Sequence, residues 1–169
     1  MPARQPADSS QTLGAKIAES KSSLSDFEKA ALKERQAELR EEATRERAAA
    51  RGAAKAEAEL ADALAKIAAL PEADRLMAEQ IHELILSAAP QLRAKSWYGM
   101  PAYTLNGKIV CYFQRAGKFE SRYHTLGFND AANLDDGNMW PTAFALTTLG
   151  TTEKARIVAL VQQAASGRA

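Results

Sequence analysis

The sequence predicts an α+β protein: a two-layer sandwich in which helices pack on an antiparallel sheet of about four strands, preceded by an N-terminal helical extension. Three observations lead to this prediction. All but one of the aromatic residues lie after residue 70, so the bulky side chains that build a core are confined to the C-terminal part. That part contains a run of strand-favouring residues around an Asn-Gly dipeptide. Segments with helical periodicity flank this run on both sides.

The composition divides the chain into three segments. Residues 1–23 are polar and punctuated by proline and glycine, and they are predicted to be a disordered tail. Residues 24–70 are rich in Ala, Glu and Arg, which favour helix, and they are predicted to form the charged helical extension. Residues 71–166 hold the remaining large side chains and are predicted to form the α+β domain.

The extension opens with a helix N-terminal signal. Ser25 and Glu28 have the spacing of a capping box, in which each side chain accepts a hydrogen bond from the other residue's backbone N–H. Gly52 is the only interior helix breaker, so the segment forms either one helix or two, roughly 26–50 and 53–69. We expect the part after residue 55 to pack on the domain through one apolar face, formed by Leu60, Leu64 and Ile67.

Charge is patterned along the same extension. An acidic row at i,i+4 spacing is followed by a basic row: Glu34, Glu38, Glu42 and Glu46, then Arg47, Arg51 and Lys55. Such rows can attract a partner of opposite charge, but Ala/Glu/Arg-rich helices also carry them on solvated faces. The extension is therefore predicted to be either a solvated helix or a docking element for a protein partner through residues 26–69.

The domain has signals for each of its elements. Pro71 begins a helix that Pro90 ends. Asn106-Gly107 joins two strands, because Asn-Gly tolerates the positive φ angles of a tight type I′ turn. The remaining elements are predicted from the pattern of apolar and turn residues: a strand within 119–128, a short helix at 130–134, a strand at 142–147, and a last helix capped by Thr151 or Thr152.

The overall charge excludes some classes of function. The net charge is +1, and neither half of the chain departs from neutrality, so neither nucleic acid nor a membrane is expected as a partner. A single cysteine, Cys111, fits a reducing compartment, and we expect a cytoplasmic protein. Nucleotide-binding loops, nucleophile elbows and zinc-ligand spacings are not found, so the chain is predicted not to be an enzyme.

Three stretches resemble a known family. They are Trp97-Tyr98-Gly99-Met100-Pro101-Ala102-Tyr103, Tyr123-His124-Thr125-Leu126-Gly127-Phe128, and the run from Asp135 to Phe144. Together they resemble the YdhG-like family of domains of unknown function, over roughly residues 60–165. The resemblance implies a frataxin-like sandwich. Some members are described as intracellular iron chaperones, so it also implies iron as a metal ligand.

Two candidate sites follow. Iron favours carboxylate and imidazole ligands, and the domain's candidates for a metal are Asp130, Asp135, Asp136 and His124. The alternative for the three aspartates is helix capping and turn formation. The second site is a cleft with aromatic walls and a few convergent polar groups, which suits a small anionic ligand. Its candidates are Trp97, Tyr98, Met100, Tyr103, Lys108, Tyr112, Gln114, Lys118 and Trp140, and the alternative is that these large side chains form the core.

The sequence thus favours a non-enzymatic binding module for a metal ion, with iron suggested by the resemblance alone, or for a small anionic ligand. The competing hypothesis is an interaction or scaffold protein that acts through the charged helix. A weaker third hypothesis is an enzyme that uses the aromatic cleft.

Overall fold

The computed structural model describes residues 25–167, and the predicted tail at 1–23 lies outside them. Within this range the chain forms three α-helices, one short 3-10 turn at Ala116–Lys118 and a five-stranded sheet. In chain order the elements are α1 (Asp26–Ala68), α2 (Glu72–Ala88), β1 (Arg93–Trp97), β2 (Met100–Leu105), β3 (Lys108–Gln114), β4 (His124–Phe128), β5 (Ala143–Leu146) and α3 (Thr151–Ala164). The predicted α+β class is confirmed. No helix between residues 25 and 167 is long and apolar enough to cross a membrane.

The contacts divide the chain into two compact units, with the boundary between Arg51 and Gly52. This boundary lies inside α1, which runs through Gly52 without a break. A glycine costs a helix only about 1 kcal/mol relative to alanine, and the Ala-rich neighbours sustain the helix on both sides. The choice between one helix and two is therefore decided in favour of one.

The described part of the first unit opens with the predicted capping box. The backbone N–H of Ser25 donates to Glu28 Oε2 at 2.7 Å, and the N–H of Glu28 donates to Ser25 Oγ at 3.2 Å. These bonds from Ser25 lower the pKa of Glu28. Further along, Arg35 pairs with Glu38 at 2.9 Å, so the acidic row is partly neutralised within its own helix. Nearly all side chains of residues 26–51 are exposed, as expected from their composition.

The second unit is built around one hydrophobic core. The helices contribute Ile67 from α1, Ile81 and Ile85 from α2, and Ile157 and Val161 from α3, all buried. The predicted packing of residues after 55 is confirmed, but the buried face is centred on Ala63 and Ile67, whereas Leu64 is 44% exposed. Burial of such apolar side chains contributes about 1.5–3 kcal/mol each, which makes this cluster the main source of the unit's stability.

The sheet is an antiparallel meander in which each strand pairs with its chain neighbours, in the order β1-β2-β3-β4-β5. The predicted hairpin is confirmed: Asn106 and Gly107 have φ of 51° and 80°. The pairing of β2 with β3 shifts by one residue after Tyr103, which is a β-bulge. The bulge allows two consecutive residues of β3, Val110 and Cys111, to be fully buried.

Several sequence-based expectations need correction. β1 was not predicted, because an edge strand with the sequence Arg-Ala-Lys-Ser-Trp lacks the alternation that marks a half-buried strand. Residues 130–134 form a turn instead of a helix, since the backbone N–H of Asn133 donates a hydrogen bond to the Ala164 carbonyl at 3.0 Å. The cap of α3 is Gly150, whose N–H donates to Glu153 Oε2 at 2.9 Å, and Thr151 is already helical.

Candidate functional site

The two tightest turns of the sheet share one backbone geometry but differ in sequence. Between β2 and β3 the turn residues are Asn106 and Gly107; between β1 and β2 they are Tyr98 and Gly99, with φ of 49° and 73°. Both pairs have the positive φ angles of a type I′ turn. Asparagine and glycine tolerate this conformation, whereas a bulky residue pays about 1–2 kcal/mol to adopt it. Tyr98 is nevertheless 79% exposed.

The strands present one face to the helices and the other face, which we call the open face, away from them. Tyr103 lies on the helix face, where its hydroxyl is 3.2 Å from His82 Nδ1 on α2. Tyr112 stands between buried Cys111 and Phe113 and therefore points to the open face. Its register partners are Ala102 on β2 and Gly127 on β4.

Three rings gather on the open face and form what we call the aromatic surface: Trp97, Tyr98 and Tyr112. The ring of Trp97 meets the other two edge-on, with centroid distances of 5.2 Å to Tyr98 and 5.3 Å to Tyr112. Gly127 makes this arrangement possible, because a Cβ there would lie 2.5 Å from Tyr112 Cε1. The ring of Tyr112 thus lies directly over the backbone of β4.

A cation stands beside the aromatic surface. Lys118 follows β3 in the 3-10 turn, and its ammonium group donates a hydrogen bond to the backbone carbonyl of Tyr98. The same ammonium lies 5.7 Å from the ring centroid of Phe119, itself 62% exposed. The site therefore combines exposed π-faces with a positive charge, which is the chemistry expected for binding a planar anion.

The structure separates the predicted cleft residues. Trp97, Tyr98, Tyr112 and Lys118 come together at the aromatic surface, with Met100 directly opposite Trp97 in the β1–β2 register and 8% exposed. By strand alternation Gln114 lies on the open face, further along β3. The other three predicted residues lie elsewhere: Tyr103 in the core, Lys108 at the β2–β3 turn, and Trp140 beside α3.

Tyr103 and Cys111 are the buried titratable groups of the sheet. Burial raises the pKa of the Cys111 thiol to about 12 and raises that of the Tyr103 hydroxyl as well. Both side chains are therefore neutral at ordinary pH, and neither is exposed to solvent. A thiol in this state is a small apolar core residue and a poor nucleophile.

His82, the half-buried partner of Tyr103, should make stability depend on pH. Burial lowers the pKa of His82, so the native state disfavours its protonated form. In the unfolded chain histidine titrates near about 6.5, and below this pH the unfolded state binds more protons than the native state. The free energy of unfolding should therefore be at its full value above pH ~6.5 and fall as the pH drops through the lowered native pKa.

Urea denaturation at pH about 7 and about 5 measures this effect, with His82→Gln as the control because glutamine keeps a polar partner for Tyr103. The variant should lose less stability on acidification than the unmodified protein. Parallel losses in the two proteins would contradict a role for His82.

The four candidate metal residues lie in three places. His124 accepts a hydrogen bond at Nδ1 from the backbone N–H of Ala116, and its Nε2 is 3.9 Å from Asp74 Oδ1. Asp74 is also paired with Arg115 at 3.3 Å, so His124 belongs to a contact that ties α2 to the sheet. Asp130 lies near Lys108, and Asp135 and Asp136 lie near Trp140. No group of three or more His, Cys, Asp or Glu side chains in residues 25–167 is placed to hold a metal ion.

No family model, curated protein or solved structure matches this chain. The resemblance to the YdhG-like family, and the iron that it implies, stay predictions.

Two glycines that shape the aromatic surface, Gly127 and Gly99, are not among the site residues predicted from the sequence. Gly127 has no side chain to mark it, although a glycine inside a strand pattern signals close approach of another group. Tyr98-Gly99 has the form of a two-residue turn, but the strand before it is too polar to reveal a hairpin.

Proposed function

We propose that this protein is a binding module that holds a small anionic ligand with a planar ring against the aromatic surface. The observation that carries the proposal is the conformation of Tyr98. An exposed aromatic residue occupies a left-handed backbone position that Asn or Gly would occupy without strain, as Asn106 does in the neighbouring turn. The fold does not require a strained residue at this exposed position, so the strain supports a functional role for Tyr98.

The chemistry of the neighbours supports the class of ligand. Trp97 contacts Tyr98 on one side and Tyr112 on the other, and a planar ligand can stack on the exposed faces of these rings. The ammonium of Lys118, anchored on the Tyr98 carbonyl, is placed to pair with an anionic substituent of the same ligand. Aromatic rings and an ammonium group are poor iron ligands, so this site supports an organic anion and not a metal ion.

Three probes separate the contributions to binding: phenyl phosphate, inorganic phosphate and benzyl alcohol. Phenyl phosphate has both ring and anion, whereas each of the others has one. In two-dimensional NMR the indole N–H signals of Trp97 and Trp140 can be followed separately. We expect phenyl phosphate to shift the Trp97 signal saturably and the two simpler probes to do so more weakly. A Trp97 signal that none of the three moves would contradict the proposal.

Tyr98→Asn should separate binding from stability. Asparagine tolerates the left-handed conformation but loses the contact with Trp97, so we expect the free energy of unfolding to rise by about 0.5–1 kcal/mol. The same variant should lose the response of Trp97 to phenyl phosphate. Tyr98→Phe is the matched control, because it keeps both the ring and the strained backbone, and it should keep binding. A Tyr98→Asn protein that is less stable than the original would show that Tyr98 serves the fold.

A further inference from the structure

The last strand of the sheet has a free edge. Among residues 25–167, β5 pairs only with β4. The N–H of Phe128 donates to the Thr142 carbonyl at 2.7 Å, and the register continues with Leu126 opposite Phe144. Hydrogen-bonded and non-bonded pairs alternate in an antiparallel ladder, so Ala143 and Ala145 direct their N–H and C=O groups away from β4. Both alanines are exposed, and their methyl groups leave the edge accessible to another strand.

A groove runs beside this edge, between β5 and α3. It consists of two depressions, open to solvent, that share Phe144 and Leu160 as lining residues. The first has an empty volume of about 410 Å³ and is mainly apolar, with Leu126 and Ile157 in its wall. The second has an empty volume of about 600 Å³ and includes the exposed carboxylate of Asp136.

The length and charge of the groove define what fits it. The six residues from Pro141 at the acidic end to Leu146 at the apolar end span about 17 Å at ~3.3 Å per residue, which is long enough to pair with a five-residue extended segment. Arg156 lies at the apolar end, with its guanidinium 5.2 Å from the Phe144 ring centroid. Glu153 lines the same depression and offsets the charge of Arg156, whereas the other depression contains Asp136 and no basic residue. A basic side chain is therefore favoured at the Asp136 end.

We propose that β5 and this groove bind an extended peptide that adds to the sheet as a sixth strand. The peptide runs antiparallel to β5, with an apolar side chain in the first depression and a basic side chain four residues later beside Asp136. Residues four apart in a strand share one face, so both side chains point into the groove. Main-chain bonds to Ala143 and Ala145 supply affinity, and the two side chains supply specificity.

The charges favour a peptide over a second copy of β5. The strand Ala143–Leu146 is flanked by Thr142 and Thr147, and none of these six residues is basic. A second β5 therefore brings no positive charge to Asp136. The proposed peptide site also lies on the helix side of the sheet edge and is independent of the aromatic surface on the open face.

The test uses the peptide acetyl-Leu-Thr-Val-Thr-Lys-amide with a fluorescent label, followed by anisotropy on the full chain. We expect saturable binding, and weaker binding of the reversed sequence Lys-Thr-Val-Thr-Leu. In the proposed pairing the two threonines face Ala143 and Ala145, and their N–H groups point to β5. Methylating both threonine amides should therefore abolish binding, whereas methylating the valine amide should change it little.

Variants of the protein provide the second arm of the test. Ala145→Pro removes an N–H that points away from β4, so the sheet should persist while peptide affinity falls by about tenfold or more. Ala145→Val keeps the N–H and should bind within about twofold of the original. Asp136→Asn should weaken binding by a factor of up to about five, as expected for an exposed charge pair.

Three outcomes would overturn the proposal. One is that neither peptide binds saturably. Another is that the peptide methylated at both threonine amides and the peptide methylated at the valine amide bind with the same affinity. This result does not depend on how any protein variant folds. The last is a dimer that Ala145→Pro dissociates while the peptides fail to bind, which would assign the edge to a second copy of the chain. Tyr98→Asn should leave peptide binding unchanged, so failure of one proposal can be distinguished from failure of the other.

Discussion

Replacing Phe113 by alanine should lower the free energy of unfolding by about 3–5 kcal/mol, the range measured for deleting a buried aromatic ring. Phe113 is 1% exposed, pairs with Leu126 across the β3–β4 ladder, and stacks on His124 with ring centroids 5.5 Å apart. Its loss leaves a cavity at the centre of the helix-facing layer. Since small domains are stable by only about 5–15 kcal/mol, the variant should be close to unfolding at room temperature.

Urea denaturation, monitored by circular dichroism, measures this loss. An unchanged slope of the free energy of unfolding against urea concentration would show that the surface exposed on unfolding is the same in both proteins. The matched control is Tyr112→Ala, one residue earlier on the same strand. Tyr112 is half-buried on the open face, so its removal should cost less than about 2 kcal/mol. Equal losses for the two variants would mean that the assignment of faces to β3 is incorrect.

Gly127→Ala should lower the free energy of unfolding by about 1–3 kcal/mol and displace Tyr112 from the aromatic surface. The new Cβ would lie 2.5 Å from Tyr112 Cε1, and nearer still to Cζ and the hydroxyl oxygen. The backbone of β4 is fixed by its pairing with β3 and β5, so the ring is the group that must move. Its movement breaks the edge contact with Trp97. The variant should therefore lose the response of the Trp97 indole signal to phenyl phosphate.

A double-mutant cycle tests this explanation. In a Tyr112→Ala background the ring is gone, and Gly127→Ala should then cost less than about 0.5 kcal/mol. Non-additivity of this size is expected for residues in contact and not for independent sites. If Gly127→Ala is equally destabilising in both backgrounds, the glycine is needed by the backbone of β4 and not by the ring above it.

Local signals in the sequence predicted the features that depend on neighbouring residues. The capping box of Ser25 and Glu28 and the type I′ turn at Asn106-Gly107 both formed as expected. In each case a few consecutive residues satisfy their own backbone geometry or hydrogen bonds, so the surroundings have little influence. The α+β class followed in the same way, because apolar periodicity reports which faces must be buried.

The sequence pointed to the residues of the aromatic surface but did not separate them from residues of the core. Trp97, Tyr98, Tyr112 and Lys118 were named among the cleft candidates, but so was Tyr103, which lies in the core. Tyrosine suits a core and a binding surface equally well, and only the face of the strand separates the two roles. The bulge in the β2–β3 pairing shifts the register within this hairpin, and such a shift depends on packing that residue pattern does not reveal.

By itself the sequence determined the helices on either side of the sheet, the Asn106-Gly107 hairpin and the class of fold, because these follow from propensity, periodicity and turn chemistry over short stretches of chain. Tertiary structure decided the rest. The polar edge strand β1 exists because β2 pairs with it, and that pairing makes Tyr98-Gly99 a strained turn. The groove beside β5 exists because α3 packs next to that strand. Both candidate binding surfaces are formed by residues distant in the chain, and contacts of that kind depend on the burial of the whole core.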